Sequence, residues 1–283
     1  YTQTGGFHHG WKKNAPENPG TIRRYDPLGK PVPFKSLGKH FIRKYYHGHI
    51  RPGGMFITKE GYIYASGFPG YRGRDQKEKG MFVVLIAPDG TIKEERKVFI
   101  KGTTLGGVGV DPRGNIYLGL QVWEQGKRIP HWFMDILPKS SRLGHPLKAY
   151  RQHGALVKFP SSGGQVMPDT EGAYLGHAGG YAKPRQGTPP HSLRLENAEW
   201  VRRVGYVPIN AGNEAGCLCE NTRFDIDEFG RIFIPDLYRF RIAVFDSKGN
   251  VLLRWMSADH CAPGNFIAPH TLCVDSRGDL YVG

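Results

Sequence analysis

Short stretches of alternating apolar and polar residues run along the chain, each broken by a tight turn that a glycine closes. A period of two puts successive side chains on opposite faces of a strand, so alternation bounded by turns predicts β-hairpins. Four hairpins align on their turn glycine: GMFITKEGYIYASG (Gly54 to Gly67), GVGVDPRGNIYLG (Gly107 to Gly119), RFDIDEFGRIFIPD (Arg223 to Asp236) and TLCVDSRGDLYVG (Thr271 to Gly283). Asp or Thr opens each turn, because a short oxygen side chain bonds the backbone two residues on. Glycine closes it, since it takes a left-handed conformation without steric cost.

A second hairpin type lies between these: TIRRYDPLGKPVPF (Thr21 to Phe34), FVVLIAPDGTIKEERKVF (Phe82 to Phe99), GALVKFPSSGGQVM (Gly154 to Met167) and RIAVFDSKGNVLLRW (Arg241 to Trp255). One inner and one outer hairpin make a four-stranded sheet. Turn glycines Gly61 and Gly114 stand 53 residues apart, and Gly230 and Gly278 stand 48 apart, near the repeat of about 45 residues expected of a propeller blade. The predicted fold is therefore all-β, a β-propeller of about five to six four-stranded blades, of which four are visible in the sequence. The N-terminal outer hairpin and the C-terminal inner hairpin each lack a mate, and pairing them would close the ring and remove raw sheet edges. Residues 1–20 read as an N-terminal extension and 21–283 as one domain, with insertions at about 121–152 and 168–216. Ser192 to Pro208 is the place in the second insertion best suited to hold further strands.

Composition adds a charge. The net charge is +14, with basic clusters at Lys35 to Arg51 and Arg72 to Lys79. That balance favours polyanions or an acidic protein partner. Tyr45 and Tyr46, interleaved with the basic residues, are placed to stack on bases or sugars, or to pack inward beneath a solvated basic surface. No apolar run reaches the roughly 18 residues that a membrane span needs. No phosphate-binding glycine loop and no GxSxG elbow occurs, and glycine-rich stretches such as GGVGVDPRGN read as β-turn chemistry.

The candidate chemistry gathers on one predicted face. In a propeller, the loop leading into each inner strand opens on a common rim. Gly216 to Thr222 leads into one inner strand and Ser257 to His270 into the next, which would bring Cys217, Cys219, His260, Cys261 and His270 together. A disulfide from Cys217 or Cys219 to Cys261 is one reading, and it needs an oxidising compartment. A site for zinc or copper is another, because thiolates and imidazoles suit those ions. Free buried cysteines are a third, and Cys273, within a strand between Leu272 and Val274, belongs mainly there. His47 and His49 lead into the first inner strand on the same rim. Asp225 stands where the other copies carry the uncharged Phe56, Gly109 and Cys273, so it is a candidate ligand-binding carboxylate; Glu220 and Arg223 are further ligand-binding candidates, with Arg223 placed to pair with either Asp225 or Glu220. Asp227 is explained as a turn opener. Trp123, Trp132 and Phe133 form an apolar cluster in the first insertion and are the candidate partner interface.

With the repeats laid out, the chain resembles the NHL-repeat β-propeller superfamily over about residues 20 to 283, on the units APHTLCVDSRGDLYVG and GVGVDPRGNIYLG. The last blade is similar to that of bacterial proteins related to peptidyl-α-hydroxyglycine α-amidating lyases. That likeness implies a zinc-dependent propeller with histidine ligands around the channel. The positions equivalent to His270 in the other copies are Gly53, Gly106 and Thr222, so a symmetric histidine set is absent here. The Cys-x-Cys blade resembles uncharacterised NHL proteins of planctomycete-type bacteria. The expected function is non-catalytic binding or scaffolding outside the cytoplasm, in the periplasm or after secretion, with a protein partner or acidic polymer as ligand. A metal-dependent lyase or hydrolase and a nucleic-acid-binding propeller are the alternatives.

Overall fold

A computed structural model of the protein describes residues 2–3, 22–35, 54–67, 81–100, 104–123, 152–168, 193–203, 223–236, 241–256, 266, 269 and 271–283. Every regular element among these is a strand. The fold is all-β, in the blade pattern of a β-propeller, and it divides into two compact units, residues 1–101 and 102–283.

In the first unit, β1 (Thr2–Gln3), β2 (Ile22–Tyr25) and β3 (Pro31–Val32) form an antiparallel sheet in that order. An antiparallel meander follows, of β4 (Met55–Ile57), β5 (Ile63–Gly67), β6 (Met81–Ile86) and β7 (Ile92–Ile100). The core joins the two: Ile22 packs with Ile63, Ala65, Phe82, Val84 and Ile86, with Phe34, Met55, Ile92 and Phe99 around them. Covering β6 on both faces fits its unbroken apolar sequence MFVVLI, which has no polar side to turn to water.

The second unit holds β8 (Thr104–Val110), β9 (Ile116–Trp123), β10 (Gln152–Phe159), β11 (Gly164–Pro168), β12 (Leu193–Glu196) and β13 (Glu199–Arg203). It continues with β14 (Asp225–Ile226), β15 (Ile232–Asp236), β16 (Arg241–Phe245), β17 (Val251–Met256), β18 (Leu272–Val274) and β19 (Leu280–Val282). Strands β14 to β17 form a four-stranded blade in sequence order, and β18 pairs with β19. Tyr117 and Leu156 of one sheet pack against Phe224, Ile226, Ile232, Ile234, Ala243 and Phe245 of the next, so these two blades share a core.

The turns are the most regular feature. Gly29, Gly61, Gly90, Gly114, Gly163, Gly230, Gly249 and Gly278 all have φ between +75° and +86°. Each donates its N–H to the residue three back, as Gly230 does to Asp227 at 3.0 Å. The opening aspartates do what short carboxylates do in turns. One oxygen of Asp227 accepts the N–H groups of Phe229 and Arg231, and Asp26, Asp111, Asp246 and Asp275 repeat that pattern.

One expected hairpin is not built as read. The Gly163 turn forms, yet β11 does not fold back onto β10. It pairs with β12, and the edge of β10 is taken by β13. The reason is Pro160. In the other turns the opening residue also donates its own N–H to the residue four ahead, as Asp246 does to Asn250 at 2.9 Å, which starts the ladder. Proline has no N–H to give. The Asn197 amide instead donates to the Gly163 carbonyl at 2.6 Å, tying this turn to the β12–β13 turn. Ser192 to Pro208 thus does hold strands.

Candidate functional site

The inner strands β8, β14 and β18 lie next to one another in the second unit. Two features of sequence make that approach. In β8, Gly107 and Gly109 present no side chain, and the Phe224 ring fills the space: a Cβ built on Gly107 would sit 2.8 Å from Phe224 Cδ1. These two glycines are therefore packing positions, and only Gly114 of that stretch is the turn glycine, which corrects the reading of the run as turn chemistry alone. On the other side, Asp225 reaches from β14 to β18.

Asp225 was singled out as a candidate ligand carboxylate, and the geometry gives it a definite job. One oxygen accepts the N–H of Val274 on the next inner strand at 2.8 Å, and the other accepts the N–H of Ile226 at 2.9 Å. The carboxylate bonds backbone amides, not the Arg223 guanidinium considered as its partner. Burial pushes its pKa above the ordinary carboxylate range, and the negative charge of Asp227 adds to this, against the two amides that pull it down. Asp225 is a clasp between adjacent blades.

Arg223 lies two residues before β14 and Thr271 one residue before β18, and these two strands are neighbours. Cys217, Cys219, Glu220, His260, Cys261 and His270 themselves lie outside the described residues, as do His47, His49, Trp132 and Phe133. Trp123 falls at the end of β9, inside a strand and not in an insertion. Among the described residues, no three His, Cys, Asp or Glu side chains gather to hold a metal ion.

Cys273 departs from expectation. It is a free thiol and exposed, where a small buried hydrophobe was expected. In β18 the alternation buries Leu272 and turns Cys273 out. Desolvation, together with the charges of Asp225 and Asp275, holds its pKa above the usual thiol value, so it is less nucleophilic at neutral pH than a free cysteine.

The sequence reading placed the strand β17 within the hairpin Arg241 to Trp255 but did not single out its apolar side chains. Leu252, Leu253 and Trp255 are 53%, 56% and 52% exposed on this outer strand. Trp255 stands edge-on to Phe266, with ring centroids 5.3 Å apart and planes at 74°. Comparison with the sibling hairpin carries the signal. Aligned on Gly90 and Gly249, Lys93, Glu94 and Arg96 of β7 match Leu252, Leu253 and Trp255 of β17. Both strands even carry the same bulge: Lys93 is the extra residue between Ile92 and Glu94, and Leu252 is the extra residue between Val251 and Leu253. The bulge is kept, while the charged side chains that β7 carries there are replaced by apolar groups in β17.

No protein-family model matches the chain, and no curated protein matches it. Among solved structures it is similar to a gluconolactonase of Xanthomonas campestris, at 15% identity over 93% of this chain and 62% of that one, with a TM-score of 0.40. It is similar also to the hydrazine synthase of Kuenenia stuttgartiensis, at 12% identity over 93% and 64%, with a TM-score of 0.44. A third is a calcium-binding regucalcin of Agrobacterium tumefaciens, at 11% identity over 83% and 51%, with a TM-score of 0.33. The chain spans less than two thirds of the length of each, and likeness at this level assigns no activity to it.

Proposed function

We propose that the protein is a recognition propeller of the NHL type that works by binding a protein partner outside the cytoplasm. The single observation behind this reading is the exposed apolar edge of β17, at positions where the sibling strand β7 is charged. Exposed aliphatic and aromatic groups on a rigid strand are what a partner interface uses, and tryptophan and arginine are its usual anchors. The blade beneath supports this role: β16 is buried along its whole length, so β17 is held on a fixed base. The net charge of +14 favours an acidic partner.

The reading is tested by selecting a displayed random-peptide library on the purified chain. Each recovered peptide is then screened on a variant in which Leu252→Lys, Leu253→Glu and Trp255→Arg copy the charges of β7. Peptides that bind the parent and not the variant support the proposal, and a selection that returns none overturns it. The alternative, a metal-dependent lyase or hydrolase, makes a separate demand. A stoichiometric zinc or copper ion, lost on Cys219→Ser or His270→Ala, would favour the enzyme over the binding module.

A further inference from the structure

No further inference is drawn: the strongest candidate, the exposed apolar outer edge of the blade at Leu252, Leu253 and Trp255 of β17, belongs to the surface already read as the binding face, and nothing in the structure shows what covers it.

Discussion

Replacing Asp225 by alanine removes the acceptor of two backbone N–H groups, that of Val274 in the next blade and that of Ile226 in its own. A hydrogen bond to a charged group contributes about 1.5–3 kcal/mol, and leaving a half-buried donor unpaired costs a similar amount. Against this stands the relief of no longer holding a carboxylate in a partly desolvated place beside Asp227, the cause of its raised pKa. The net expectation for Asp225→Ala at neutral pH is a loss of about 1–3 kcal/mol, or a fall in Tm of several degrees. Asp225→Asn keeps one carbonyl acceptor and removes the buried charge, so it should lose about 1 kcal/mol or less. The pH dependence has a definite sign. A carboxyl whose folded pKa lies above its unfolded value binds its proton more tightly when folded. Its unfavourable contribution is complete above the folded pKa, and it is relieved as pH falls through that value toward the ordinary range near 3.8. Wild type should therefore gain stability relative to Asp225→Asn on acidification through that window. Thermal denaturation of the three proteins across pH measures all of this. An alanine variant as stable as wild type, or a wild type that loses ground to Asp225→Asn as pH falls, would refute the clasp.

Gly107→Ala should lose about 1–3 kcal/mol through overpacking against Phe224, and Phe224→Leu should recover part of that in a double-mutant cycle, read by urea denaturation. Gly278→Ala meets no atom within 4 Å and tests conformation alone, with an expected loss of about 1–2 kcal/mol from φ near +86° by the same assay. Cys273 should react with a maleimide in the native protein, faster as pH rises toward its raised pKa, and Cys273→Ala should change stability by about 0.5 kcal/mol or less. Full protection of Cys273 until unfolding, measured by mass spectrometry, would contradict the exposed placement.

What the sequence made legible is local. The turn grammar needs a short oxygen, a left-handed glycine and alternation on either side, and all of these lie within a few residues of one another. Hence the eight turn glycines stand where the repeats put them. What it did not make legible depends on partners far along the chain. Pro160 disables one ladder bond, and only the arrival of β12 and β13, some forty residues later, decides where β11 goes. Asp225 stood out because its charge is unusual among the copies, and its bond to an amide 49 residues on could not be read from local spacing. Gly107 and Gly109 were read as β-turn chemistry when they are small for the sake of Phe224. Leu252, Leu253 and Trp255 were in plain view, and comparing LLRW with KEER in the sibling strand would have exposed them.

The central claim is that β14 and β18 are neighbouring inner strands, joined by the Asp225 carboxylate. Nitroxide labels at Phe229→Cys and Ser276→Cys, on the exposed turn tips of those two hairpins, test it by double electron–electron resonance in a background with the native cysteines replaced by serine. Adjacent packed sheets lie about 10 Å apart, so a single narrow distribution at the short end of the measurable range is predicted. A broad distribution at the long end would contradict it.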